Sequence, residues 1–115
     1  MITVTINVRT VSEANVRCHW RLRAARTKAH RLQAWAELRV ADKEPRLLGP
    51  VTVTLTRIAP RPLDSHDNLR ASLKAAVDGV ADWLGVKDND ARVSWAYAQE
   101  RGAPKTYAVR IEVAS

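Results

Sequence analysis

The segment from residue 67 to residue 84 constrains the fold more than any other part of this 115-residue chain. Its apolar residues recur every three or four positions, which is the spacing of one face of an α-helix. They are Leu69, Leu73, Ala76, Val77, Val80 and Leu84. Gly85 follows directly and is well placed to end the helix. The segment therefore predicts an amphipathic helix whose apolar face must pack against another layer.

Four short runs alternate between apolar and polar residues, which is the pattern of half-buried β-strands. They cover residues 2–8, 51–56, 93–97 and 107–113. A second helix, from about Trp20 to Val40, is predicted between the first two runs. Its apolar residues at helical spacing are Leu22, Ala25, Ala29, Leu32 and Ala36. The last two runs are joined by residues 99–105, whose turn-forming composition predicts an antiparallel hairpin.

The element order β-α-β-α-β-β predicts an α+β fold, with a mixed four-stranded sheet and two helices packed on it. The length suits one domain spanning residues 1–115. A lone Cys18 excludes an intramolecular disulfide and a zinc cluster, so a cytoplasmic location is expected. No apolar run approaches the roughly 20 residues of a membrane span, so no membrane partner is expected.

Positive charge is concentrated near the amino terminus. The chain has a formal net charge of +7, which favours nucleic acid or another anionic surface as a partner. No acidic residue occurs between Ala14 and Ala36, where six bases occur: Arg17, Arg21, Arg23, Arg26, Lys28 and Arg31. Together with Arg70, they are predicted to contact phosphates without reading sequence. For the four tryptophans, Trp20, Trp35, Trp83 and Trp95, core packing is the preferred interpretation.

Half of the twelve acidic residues lie between residues 62 and 90 of this basic chain. They are Asp64, Asp67, Asp78, Asp82, Asp88 and Asp90. Around the predicted helix, at about 100° per residue, the positions of Asp67, Lys74 and Asp78 fall within roughly 40° of one another. They lie opposite the apolar face of that helix. Carboxylates hold Mg²⁺, and a nearby cation stabilises charge on phosphate oxygens. The pattern indicates metal-dependent phosphodiester hydrolysis, with Asp67 as a ligand and Lys74 beside the phosphate.

A structural interpretation of the same residues is also open. Asp64 or Asp67 would serve as a helix N-cap, and Asp78 with Lys74 would form an ordinary i,i+4 pair. Residues 87–90 would be a polar turn. Asp67 and Asp88 also flank a helix of about 25 Å, at 1.5 Å per residue. They share a metal only if the chain folds back after Gly85, if the helix is shorter, or if a second subunit contributes.

Three motifs in this region resemble the RusA-like family of Holliday junction resolvases, which are small Mg²⁺-dependent endonucleases. They are D-N-L at residues 67–69, L-K-A-A-V-D-G at residues 73–79 and L-G-V-K-D-N-D at residues 84–90. The likeness is specific over residues 62–95 and weak upstream. It implies Mg²⁺, with Mn²⁺ as an alternative, and a homodimer that acts on four-way DNA junctions or other branched DNA. No organic cofactor is implied.

The resemblance places the catalytic carboxylates on Asp67 and on Asp88 or Asp90, with Asp88 as first choice, and the essential lysine on Lys74. The metal-ligand roles fall on Asp64, Asp67, Asp88 and Asp90. The first aspartate of the family usually stands two residues before the D-N pair, and here that residue is Ser65. Asp64 takes the role if the loop shifts by one residue. A protein that kept the fold and binds nucleic acid without cutting is therefore the alternative, and a basic RNA-binding domain is a third class.

Overall fold

The computed structural model describes residues 1–10, 20–45, 47, 49–63 and 66–115. Its elements are β1 (Ile2–Ile6), α1 (Trp20–Ala41), β2 (Val51–Ala59), α2 (His66–Leu84), β3 (Val93–Arg101) and β4 (Ala108–Ala114). The predicted β-α-β-α-β-β order and the α+β class are confirmed. Five residues named above, Ala14, Arg17, Cys18, Asp64 and Ser65, lie outside the described residues.

The four strands form one mixed sheet in the order β1-β4-β2-β3. Strand β2 pairs in parallel with β3 and antiparallel with β4, and β4 pairs antiparallel with β1. Residues in register lie on the same face, so Val4, Ile111, Leu55 and Tyr97 form one row across the sheet. The opposite face is polar and carries most of the threonines of β1 and β2. Both helices contribute to the single core on the apolar face.

The predicted hairpin between the last two strands is wrong. Strands β3 and β4 are not neighbours, because β2 lies between them. The connection crosses the end of β2, where the Gly102 amide donates to the Ala59 carbonyl at 2.9 Å. A Cβ at Gly102 would lie 3.0 Å from the Ile58 side chain, so the crossing is tight. The turn-forming composition of residues 99–105 predicted that β4 would pair with β3. In the structure β2 lies between these two strands and pairs with both.

Helix α2 connects the parallel strands β2 and β3 and buries the predicted apolar stripe. Leu69, Leu73 and Val80 are 0–3% exposed, which accounts for the 3.6-residue period of the segment. Gly85 adopts φ 72° and ends the helix, as predicted. The Gly85 amide donates to the Asp82 carbonyl at 3.2 Å and the Val86 amide to the Ala81 carbonyl at 3.1 Å. This pair of bonds is a Schellman motif, which reverses the chain immediately after the helix.

The two helices cross closely at Gly79. A Cβ built on Gly79 would lie 2.8 Å from the Ala34 Cβ and nearer still to the Arg31 carbonyl oxygen. The absence of a side chain therefore sets how closely α1 approaches α2. The Trp83 indole N–H donates to the Asp42 carbonyl at 2.8 Å and joins the end of α1 to the end of α2. Trp83 is 7% exposed, which confirms its assignment to the core.

Helix α1 packs through a narrow strip only. Ala34 and Leu38 are fully buried, whereas Leu22 is 64% exposed and Leu32 is 58% exposed. Ala25 and Ala29, which share their helical spacing, are also exposed. Four of the five apolar residues that predicted this helix are therefore exposed on its outward face, and the fifth, Ala36, is half-buried. Within the described ranges, no helix is both long enough and apolar enough to cross a membrane.

A buried arginine ties the loops at one end of the sheet. Arg57 in β2 is 7% exposed, and its Nε donates to the Thr10 hydroxyl at 3.0 Å. Its Nη1 donates to the Arg61 carbonyl at 2.8 Å. Burial lowers the pKa of this guanidinium. The Gln99 side chain bonds both the amide and the carbonyl of Leu63, at 2.8 and 3.1 Å. These contacts hold the segment that leads into α2.

Replacing Gly79 with alanine tests the helix crossing. The new methyl group would collide with the backbone of α1, so we expect a loss of about 1–3 kcal/mol in the free energy of unfolding. This loss would occur although alanine favours helices by about 1 kcal/mol. Urea unfolding measures it. Gly49→Ala is the control, since a Cβ there meets nothing within 4 Å. Equal stabilities of the two variants would contradict the close crossing.

Candidate functional site

Lys74 lies at the centre of the polar face of α2, between two carboxylates. Its ammonium donates to Asp78 Oδ1 at 3.0 Å, one helical turn further on, and also to Asp88 Oδ2. The Asp88 contact is the largest cause of a raised pKa at Lys74, and the same contact lowers the pKa of Asp88. All three side chains are partly exposed. The site therefore holds a charged lysine between two carboxylate side chains.

The chain after α2 folds back along the helix and delivers Asp88 to Lys74. The Schellman motif at Gly85 reverses the direction of the chain, and the Trp95 indole N–H then donates to the Asp88 carbonyl at 2.8 Å. Sharp reversal after Gly85 is one of the three arrangements that would bring the two ends of the helix together. It moves Asp88 from beyond the end of α2 to the middle of the helix.

Beside Lys74 is a surface depression of about 430 Å³. It is lined by Arg70, Ala71, Lys74, Val77, Asp88, Asn89, Trp95 and Tyr97. The Arg70 guanidinium lies over the Tyr97 ring, 5.4 Å from its centroid. Trp95 and Tyr97 are only partly buried and form an aromatic wall on the edge strand β3. Two cations, a carboxylate and two aromatic rings therefore face the same open volume.

Asp90 is held away from this group by Arg92. Two nitrogens of the Arg92 guanidinium donate to the two Asp90 carboxylate oxygens, at 3.0 and 2.9 Å. The Arg92 amide adds a bond of 2.9 Å to Asp90 Oδ1. The guanidinium is the main cause of a lowered Asp90 pKa, about 2. Of the two aspartates predicted as ligands in this segment, Asp88 lies at Lys74 and Asp90 is paired with an arginine.

Asp67 occupies the first turn of α2 and is exposed. It precedes Lys74 by seven residues, or about 10 Å of helix rise. In the described parts of the chain, no three His, Cys, Asp or Glu side chains are grouped closely enough to hold a metal ion. The donor chemistry nevertheless suits Mg²⁺ at Asp78 and Asp88, because their carboxylate oxygens already converge on one cation, the Lys74 ammonium. Asp67 is not part of that pair. Mg²⁺ is commonly held by one or two carboxylates, with water and phosphate completing its coordination.

The predicted phosphate-binding residues of α1 divide into two groups. Arg31 forms a bidentate ion pair with Asp82 of α2, at 2.6 and 2.7 Å. This pair lowers the pKa of Asp82 and raises that of Arg31. Arg21, Arg23 and Lys28 are exposed, and Arg26 is half-buried beside Lys74 in a shared groove. Arg21, Arg23 and Lys28 therefore lie on the exposed surface of α1, and Arg31 joins the two helices.

Sequence reasoning missed three members of the site. The sequence predicts Asp78 on the polar helix face and, in the structural interpretation, as the i,i+4 partner of Lys74, which is confirmed, but it gives Asp78 no role in the site. Tyr97 is predicted only as a strand residue. Trp95 was assigned to the core, but its indole holds Asp88 and its ring lines the depression. The available signal is the alternation of Trp95 and Tyr97, which places both on one face of a strand that follows the acidic turn.

The sequence matches no protein-family model and no curated protein. The resemblance to RusA-like resolvases therefore depends on the motifs of residues 62–95 alone.

The Asp90–Arg92 pair makes a prediction about protonation. The Asp90 carboxylate should titrate at about pH 2. Because its pKa is depressed, the pair is intact at neutral pH and is lost only as pH falls through that value. Arg92→Ala removes the main cause of the lowered pKa and should move the titration midpoint of Asp90 towards the ordinary aspartate value near 3.9. Carboxyl-carbon NMR measures both midpoints. Lys87→Ala, which leaves the Arg92 contacts in place, is the control, and a midpoint unchanged by Arg92→Ala would contradict the assignment.

Proposed function

We propose that this protein is a Mg²⁺-dependent endonuclease that cleaves branched DNA, such as a four-way junction, as a homodimer. The observation that carries the proposal is the position of Lys74, charged and partly exposed between Asp78 and Asp88 at the rim of an aromatic, basic depression. The resemblance of residues 62–95 to RusA-like resolvases supports the same reaction.

In this proposal, each residue near Lys74 has one physical task. Asp88 and Asp67, with Asp64 on the preceding segment, would hold the metal. A bound Mg²⁺ would supply Lewis acidity and a water of lowered pKa. With the Asp88 carboxylate directed to the metal, Lys74 would keep Asp78 as its carboxylate partner. Lys74 would stabilise negative charge on the phosphate undergoing cleavage.

The depression and helix α1 would bind the DNA. Trp95 and Tyr97 present ring faces on which an unstacked base at a branch point can stack. Arg70, already over Tyr97, would contact an adjacent phosphate. The exposed bases of α1, Arg21, Arg23 and Lys28, would bind flanking duplex through phosphates, which requires no particular sequence.

Cleavage of a labelled synthetic four-way junction, with and without Mg²⁺, tests the proposal directly. We expect paired nicks that require the metal. Lys74→Ala should lower the cleavage rate by about 10²–10³-fold, as loss of a transition-state charge contact does. Binding of the junction should change little, because a single phosphate contact is lost. The matched control is Lys43→Ala, which removes the same charge from an exposed position after α1.

Two results would contradict this role. Equal loss of cleavage in the Lys43→Ala and Lys74→Ala variants would show that only net charge matters. Undiminished cleavage by Asp67→Asn would remove the first proposed metal ligand.

The two aspartates of the returning segment should differ in their effect on metal binding. Asp88→Asn removes an oxygen donor at Lys74, and we expect the Mg²⁺ or Mn²⁺ affinity to fall about 100-fold, measured by calorimetry without DNA. Asp90→Asn should have a smaller effect, because the native Asp90 is occupied by Arg92. A larger effect of Asp90→Asn than of Asp88→Asn would reverse the assignment of the ligand.

A non-cleaving nucleic-acid-binding protein is the second candidate. The observation that favours it is that Lys74, Asp88 and Asp90 all have protein partners in ion pairs. Such a protein would bind junctions with an affinity that falls steeply with salt, and it would cut in neither Mg²⁺ nor Mn²⁺. The same junction assay separates the two candidates. A parallel measurement with structured RNA separates both from an RNA-binding domain.

A further inference from the structure

The outward face of α1 is apolar over about five turns and is exposed in the part of the chain that the structure describes. Four large apolar side chains are exposed within the described structure, and three of them lie on this helix: Leu22 at 64%, Leu32 at 58% and Val40 at 83%. Ala25 and Ala29 are exposed between them. At 100° per residue these five positions fall within about 80°, on the side opposite Ala34, which packs against α2. We call these five residues the outer stripe.

The spacing along this face is that of a helix seam. Residues 22, 25, 29, 32 and 36 are all apolar and alternate three and four apart, as the a and d positions of a heptad do. The outer stripe extends about 27 Å along the helix at 1.5 Å per residue. Alanines at 25, 29 and 36 leave room for another helix to approach closely. This geometry suits a long, straight contact with one further helix.

The amino-terminal half of α1 is only lightly packed within the described residues. From residue 21 to residue 32 no side chain is fully buried. A helix of that length is marginal without a packed apolar face, and a continuous apolar strip exposed on a protein commonly marks an interface. The fold therefore leaves a surface on α1 that another chain would stabilise.

We propose that the outer stripe of α1 pairs with the same stripe of a second copy of this chain, in antiparallel orientation. A two-fold axis makes such a contact self-complementary. The charges select the antiparallel orientation. Residues 20–31 carry five bases and no acid, whereas residues 32–44 carry three acids, Glu37, Asp42 and Glu44, against two bases, Arg39 and Lys43. A parallel pair would place the arginine-rich halves together, whereas an antiparallel pair places each opposite the more acidic end and opposes the helix dipoles.

The antiparallel pair would keep the basic side chains of α1 at the surface of the dimer. Arg21 and Lys28 lie along one edge of the outer stripe and Arg26 along the other, so they would form the polar rim of the contact. The rims of the two copies would make one continuous basic surface that extends from one Lys74 site to the other. The inference deepens the proposed function by naming the dimer surface. It rests on the proposed function only for what the dimer does, which is to bind and cut DNA. The contact between the two copies requires neither metal nor DNA.

Two alanine-to-glutamate substitutions, one inside and one outside the outer stripe, test the interface. Ala29→Glu introduces a charge into the outer stripe, and Ala24→Glu introduces the same charge at an exposed position about 80° outside it. The wild type at about 100 μM should have the mass of a dimer by light scattering after size exclusion. Ala29→Glu should raise the dimer dissociation constant at least about 100-fold, because an unpaired charge would be buried twice. Ala24→Glu should remain dimeric.

Crosslinking tests the orientation. In a Cys18→Ser background, a mixture of Leu22→Cys and Val40→Cys proteins should crosslink between the two positions, and Leu22→Cys alone should not crosslink to itself. Circular dichroism checks that each variant is helical. If Ala29→Glu fails to fold, Leu32→Gln takes its place, since it keeps the side-chain size and adds no charge.

Three results would overturn the interface: a monomeric wild type, a dimer that persists in the outer-stripe variant, or crosslinking of position 22 to itself. A monomer whose junction affinity falls more with Ala29→Glu than with Ala24→Glu would assign the stripe to DNA instead. These measurements contain no cleavage step. A monomer that cuts junctions overturns the interface and the homodimer but leaves the proposed cleavage activity standing. A dimer that never cuts overturns the proposed activity and leaves the interface standing.

Discussion

The packing of α2 is the constraint on which the rest of this structure depends. The helix connects two parallel strands, and its apolar face covers the sheet, so it cannot rotate without exposing Leu69, Leu73 and Val80. Its other buried side is set by Gly79, where α1 crosses almost in backbone contact. With both sides fixed, Lys74 and Asp78 have only one direction in which to point. The polar face that carries the proposed chemistry is thus determined by the packing of the opposite face.

A second constraint acts through the turn at Gly85. A Schellman motif reverses the chain at low cost because glycine adopts a positive φ without a Cβ clash. The reversal brings Asp88 to Lys74, and the Trp95 indole holds it there. Exposed ion pairs contribute little to stability. The hydrogen bond from the Trp95 indole to the Asp88 backbone carbonyl therefore fixes the main chain from which the carboxylate projects, and Lys74 lowers the pKa of that carboxyl group.

Most of the secondary structure was predictable because burial imposes a period on the sequence. The stripe of α2, the end of that helix at Gly85 and the strand alternation all follow from which side chains leave water. The hairpin prediction failed because residues 99–105 have turn composition, and no local signal shows that the chain steps over β2. The site was predicted in part: Lys74 and Asp88 meet, Asp90 pairs with Arg92, and Trp95 serves the site rather than only the core.

The sequence by itself determined the elements, their order, the cluster of basic residues near the amino terminus and the acidic residues between positions 62 and 90. Each of these is a property of neighbouring residues. Only the tertiary structure decided which strand lies beside which, which acid reaches Lys74, and which face of α1 stays in water. Those outcomes depend on contacts between residues distant in the chain. The heptad spacing of α1 is the clearest case: the same residues predict a helix equally well whether they face the protein's own core or another chain.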